Sequence, residues 1–209
     1  MNKPLRIAVF ASGSGSNFQA IADAVQGGKL DASIELLVCD RPQAPVVQRA
    51  QEAGVAVHTF RPKEYPSREA YEQEILELLR GKQVDLVVLA GYMRILTDVL
   101  VGAYWGRMIN IHPSLLPSFP GLHAVRQALE HGVKVTGITV HVVDGGLDSG
   151  PILAQRALDI VPGDTEQSLS ERIHPMEHEL LPQVISQIAS GQIDLEPYIN
   201  LKPKDGIHS

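Results

Sequence analysis

The sequence holds one cysteine, Cys39, in 209 residues, so it can form no internal disulfide and no cysteine-based metal cluster. Positive charge is also short: 18 Lys and Arg against 24 Asp and Glu leave a net charge of −6. That balance gives no electrostatic reason to seek nucleic acid or an anionic membrane, so an anionic ligand has to be held by local donors. No apolar run approaches the roughly 20 residues of a spanning helix. The first such run, Leu5–Phe10, leads straight into a Gly/Ser loop and reads as a strand rather than a signal peptide. The expectation is a cytoplasmic protein with neither membrane nor nucleic-acid partner.

What is present suffices for one domain over residues 1–209, with 44% hydrophobic residues available for a core. Short apolar runs at Leu5–Phe10, Ile34–Cys39, Val55–Phe60 and Val84–Ala90 read as strands. Helical spacing lies between them at Asn17–Val25, Ala44–Ala53 and Arg68–Leu79, and the acidic run Glu69–Glu77 reads as a solvated helix face. Met108–Ile111 is a fifth strand, followed by a helix at Leu122–Glu130. Lys134–Val143 and Ile152–Ile160 then read as a hairpin. Asp164 and Gln167 open a helix running to about Ala189 with a break at Pro175 or Pro182, and from about Glu196 the signal fades. This order predicts an α/β fold: a mostly parallel twisted sheet flanked by helices on both faces, with an antiparallel C-terminal hairpin.

In such sheets ligands bind beyond the carboxyl ends of the strands, which selects the loops after Phe10, Ala90 and Ile111. The first is Ala11-Ser12-Gly13-Ser14-Gly15-Ser16-Asn17. Its glycines and the helix start behind it suit a phosphate. A dinucleotide fingerprint needs glycine where Phe18 stands, and no lysine follows Gly15, so a single phosphate fits better than NAD or ATP. The plain alternative is a βα turn capped by Ser16 or Asn17.

Asn110-Ile111-His112-Pro113-Ser114-Leu115-Leu116-Pro117 closes the fifth strand. Period-two spacing turns Asn110 and His112 to one face, and the following prolines stiffen the loop, one of them with a candidate cis bond. An amide donor beside an imidazole suits acyl transfer. The stretch Asp144-Gly145-Gly146-Leu147-Asp148-Ser149-Gly150 can carry an acid into a position that a regular strand cannot reach. As a plain turn it would leave both acids solvated.

Together these two segments resemble the formyltransferases that use 10-formyltetrahydrofolate. The Gly/Ser loop, Ser67-Arg-Glu-Ala-Tyr71, Ala90-Gly-Tyr-Met-Arg-Ile-Leu96 and Met176-Glu-His178 resemble the branch acting on glycinamide ribonucleotide in purine biosynthesis. The likeness spans roughly residues 5 to 190. It implies a Rossmann-like formyltransferase fold with a phosphate-binding half at about 1–100, a folate and catalytic half at about 85–190 and a tail at about 191–209. Asn110, His112 and Asp148 would be catalytic. Gly15, Ser16 and Asn17 would hold the substrate phosphate, and Glu177 the ribose. Arg68, Met93, Arg94, Ile95, Leu96, Asn110, Val143 and Asp144 would line the folate pocket.

The co-substrate would be 10-formyltetrahydrofolate, with no metal, and the protein a monomer or homodimer. Arg172 stands where a lysine is expected, leaving a second phosphate contact open. Rival readings are a formyltetrahydrofolate deformylase, another folate-dependent formyltransferase such as that acting on methionyl-tRNA, or a non-catalytic Rossmann-type nucleotide-binding module. Both named enzyme rivals usually carry a further domain, for which this sequence leaves no room. His174 and His178 are four apart, but Pro175 and the order of residues speak against a zinc helix. His58, His123, His131 and His208 read as surface or packing residues, and Tyr104 and Trp105 as packing beside a helix before the fifth strand.

Overall fold

The computed structural model describes residues 3–201. Seven strands form one sheet: β1 (Leu5–Phe10), β2 (Ala32–Cys39), β3 (Val57–Thr59), β4 (Leu86–Leu89), β5 (Met108–His112), β6 (Val135–Val142) and β7 (Ile152–Asp159). Their order in space is β3-β2-β1-β4-β5-β6-β7. The first five run parallel, while β6 lies antiparallel to β5 and β7 antiparallel to β6. The predicted hairpin is therefore present, with a bulge opposite Val140 and His141.

The near-continuous apolar strands need cover on both faces, and alternate residues supply it. Ile7, Val9, Leu37 and Val88 pack with α1 (Ser16–Gln26), α2 (Pro45–Glu52), α5 (Ala124–His131) and α6 (Glu166–Ala189). Ala8, Phe10, Val38 and Val87 pack instead with α3 (Arg68–Gly81) and α4 (Asp98–Ala103). Tyr104, just after α4, is buried in that second layer, and the Trp105 indole donates to the Tyr198 carbonyl at 3.1 Å. This contact ties down α7 (Glu196–Ile199), a turn with no sequence signal.

Two readings of the sequence are corrected. First, α6 runs unbroken through both Pro175 and Pro182. Each interior proline costs about 3 kcal/mol. Against that, Leu169, Ile173, Leu180, Leu181, Val184 and Ile185 are all buried from this helix, at roughly 1.5–3 kcal/mol apiece. Burial wins. The cap is also one residue later than expected, because Thr165 and Ser168 form the reciprocal box while Gln167 bonds Glu171. Second, the acidic face of α3 is not wholly solvated: Glu72 is fully buried and accepts from the Thr97 amide and hydroxyl.

The chain leaves β1 toward β2 and β3, then returns to β4 on β1's other side. The loops after β1 and β4 consequently part company, opening a crevice at the carboxyl ends of these strands.

Candidate active site

A cleft of about 990 Å³ occupies that crevice. One end is the Gly/Ser loop, residues 13–17, which lines it in full. Gly15 caps α1 with φ +75, and an added Cβ there would lie 2.5 Å from Val46 Cγ2. Only glycine permits both the turn and this close approach. Neither Ser16 nor Asn17 acts as the cap, so the plain capped turn is not what forms. The Asn17 amide instead donates to Glu177 on α6 at 3.1 Å, joining the loop to the far wall. Arg172 takes no part in the wall, because its guanidinium is held by Asp164 and by the Asp159 carbonyl.

In the middle of the cleft, β5 presents Asn110 and His112 side by side on one face, as period two requires. Asp148 arrives from the β6–β7 connection in a left-handed conformation, φ +50, flanked by the glycine-rich turn. Its Oδ2 accepts the Gly121 amide at 2.7 Å and lies 3.4 Å from His112 Nδ1. His112 Nε2 lies 2.9 Å from the Phe119 carbonyl. Both ring nitrogens thus face acceptors, and only the doubly protonated ring meets both with N–H groups. The loop from 113 to 120 that supplies Phe119 contains the cis bond, at Leu116–Pro117.

His141 is the residue that the sequence reading passed over. It is buried and stands directly opposite Asn110 across the antiparallel β5–β6 pair. Its Nδ1 lies 3.0 Å from the Val142 carbonyl and so carries the proton. Nε2 then accepts from the Asn110 amide nitrogen at 3.2 Å, a shorter contact than the 3.6 Å to Asp148 Oδ1. The alternation of Ile138, Val140 and Val142 with Thr139 and His141, which puts Ile138 and Val140 in the core, turns His141 the other way. His123 is exposed, as a surface residue should be, and it also lines the cleft in a left-handed conformation, φ +59. His208 lies outside the described residues.

Charge is placed unevenly along the cleft. His141 turns Nε2 to Asn110 as an acceptor and offers Asp148 no proton, so the Gly121 amide and the His112 ring are what hold the Asp148 carboxyl below its ordinary value, against the cost of its partial burial. A depressed carboxylate contributes stability above its ordinary value of 3.8 that is lost only as pH falls through about 2, so Asp148 stays anionic in any ordinary assay. Burial does the opposite to Glu177, raising it from 4.5 to about 7 against the Asn17 hydrogen bond. Its contribution is fully present below pH 4.5 and is lost as pH rises through 7, by about 3 kcal/mol in all. Glu177→Gln keeps an acceptor for Asn17 and should flatten that decline. Urea unfolding of both proteins between pH 5 and 8 checks it, and parallel curves would refute it.

Beyond these residues the cleft is walled by Met93, Arg94, Ile95 and Leu96 after β4, and by Val143 and Asp144 after β6. Arg68 is the one predicted site residue outside the wall, its Nη1 donating to the Ile95 carbonyl at 3.4 Å. The remaining predicted positions, from Gly15 to Glu177, meet in this single cleft.

A Gly-rich phosphate-type loop facing an Asn, His and Asp cluster across a switch-point crevice defines an acyl-transfer site, and residues 5–185 match the formyl transferase family, to which the chain belongs. Among its relatives is the phosphoribosylglycinamide formyltransferase of Bacillus subtilis, 53% identical over 183 residues that cover 88% of this chain and 94% of that one. The crystal structure of glycinamide ribonucleotide transformylase 1 from Geobacillus kaustophilus superimposes with a TM-score of 0.87 at 54% identity, covering 89% of this chain and 99% of that one. The corresponding enzyme of Symbiobacterium toebii reaches 0.91 at 45% identity, covering 95% and 93%.

Proposed function

We propose that this protein transfers the formyl group of 10-formyltetrahydrofolate to the amine of glycinamide ribonucleotide in purine biosynthesis, acting in the cytoplasm as a monomer or homodimer. The observation that carries the reading is the meeting of Asn110, His112 and Asp148 in one cleft with the Gly/Ser loop at its end.

The phosphate of the acceptor sits on the free amides of residues 15–17, where a helix start holds an anion without side-chain charge. Glu177, one wall away, takes the ribose hydroxyls. The folate lies against residues 93–96, with Val143 and Asp144 opposite and Arg68 supporting from behind. This arrangement brings the acceptor amine to the formyl carbon between Asn110 and His112.

The neutral amine attacks that carbon directly, and the carbonyl oxygen becomes an oxyanion. Asn110 donates to it through the amide proton that His141 does not use. Asp148 keeps His112 Nδ1, so Nε2 is the nitrogen that serves the substrate, exchanging the Phe119 carbonyl for the reacting group. The imidazolium steadies the oxyanion and passes its proton to the departing folate nitrogen, and the proton released by the attacking amine returns the ring to its starting state. The C–N bond to the acceptor forms as the C–N bond to folate breaks. The residues themselves supply each step, with no covalent enzyme intermediate.

Mixing the protein with both substrates and following tetrahydrofolate tests the reading. Release that requires the amine supports transfer. Release without it would make the protein a deformylase, and no release at all a binding module.

A further inference from the structure

The wall after β4 has no strand partner of its own, yet it is tied down from four directions. Ser12 Oγ accepts the Met93 amide at 2.9 Å, and the Ser12 amide donates to the Gly91 carbonyl at 3.0 Å. Glu72 holds Thr97 through contacts of 2.6–3.1 Å, and Arg68 reaches Ile95. The fourth tie is Asp40, at the end of β2, whose Oδ2 accepts from Arg94 Nε at 2.8 Å. The Asp40 side chain is fully buried, 0% exposed, and does not line the cleft. Its Oδ1 has no hydrogen-bond partner, and neither does the buried Tyr92 hydroxyl nearby.

A buried carboxylate with one partner and one orphaned oxygen is a poor way to stabilise a core. An apolar residue would pack there at lower cost. What the ion pair does achieve is directional: it draws Arg94 inward and leaves Met93 and Ile95, 59% and 71% exposed, turned to the cleft. We propose that Asp40 is a positioning residue for the co-substrate end of the cleft, latching Arg94 so that the 93–96 main chain is already shaped for the folate ring. Prior order of this kind lowers the entropy cost of binding. The inference rests on the assignment of this end to folate made above.

Calorimetric titration with tetrahydrofolate and, separately, with glycinamide ribonucleotide tests it. Asp40→Leu should weaken tetrahydrofolate binding by roughly tenfold, the loss expected of one charge-assisted hydrogen bond, and leave the ribonucleotide affinity within about twofold. Its Tm should hold or rise, since a buried charge has been removed. Asp40→Asn, which keeps an acceptor for Arg94, should restore most of the affinity. Unchanged tetrahydrofolate binding in Asp40→Leu overturns the latch. So does a loss shared by both ligands together with a lower Tm, which would be a structural defect. Should Asp40→Leu not fold, Arg94→Leu breaks the same pair from its half-exposed side and must show the same split. A wild-type protein that binds the ribonucleotide but no tetrahydrofolate would instead overturn the folate assignment, and the latch with it.

Discussion

His112→Ala is expected to lower kcat by about 10²–10⁴-fold, the range for losing a positioned proton donor, while both substrates still bind. The ring sits between an anion that stays charged down to about pH 2 and a main-chain carbonyl, so its orientation is fixed by neighbours on both sides. Asp148→Asn removes the anion but leaves the backbone hydrogen bond from Gly121 an acceptor to meet. Its loss should run in the same direction and be smaller. Because the two residues act through one contact, at 3.4 Å, the double variant should be little worse than His112→Ala alone. Steady-state rates with the four proteins close the cycle. Near-full turnover in either single variant, or losses that multiply in the double, would separate the pair and remove this mechanism. Since Asp148 does not titrate in the working range, an acid limb in the rate profile belongs to other groups, the substrate amine among them.

Much of this site was legible because it depends on local rules. The strand-end parity of Asn110 and His112 follows from the two-residue repeat of a β-strand, and the Gly/Ser loop follows from where glycines stand relative to a strand and a helix. The glycines around Asp148 only permit its position, and a plain turn with the acid solvated was equally open; its place beside Asn110 and His112 came from the resemblance to the formyltransferases. His141 was not legible as a partner. Its face follows from alternation, but its position opposite Asn110 depends on the register of an antiparallel pair whose next neighbour carries a bulge, and registers are settled by tertiary contacts. Asp40 and Glu72 were missed for a different reason. Hydropathy reads an acid as solvated, and nothing local says that a loop 25 or 54 residues away will cover it. The unbroken α6 is the same lesson in reverse, since long-range burial outweighed two local breakers.

Asn110→Ala is expected to lower kcat by about 10²–10³-fold, as loss of one oxyanion donor typically does, with substrate affinities nearly unchanged. The donor matters here because its direction is set in advance. His141, proton on Nδ1, can only accept at Nε2, so the Asn110 amide nitrogen must face it and the second amide proton is left pointing into the cleft. His141→Ala should therefore lower kcat by less than Asn110→Ala, since the amide remains but is free to turn. In the double variant the effect of His141 should vanish, because it acts through an amide no longer there. If His141→Ala cost as much in the absence of Asn110 as in its presence, the histidine would be acting on Asp148 or on the substrate, and the amide would lose its assigned orientation. If Asn110→Ala itself turned over at the wild-type rate, the developing charge would have to be met elsewhere, by the His112 ring alone.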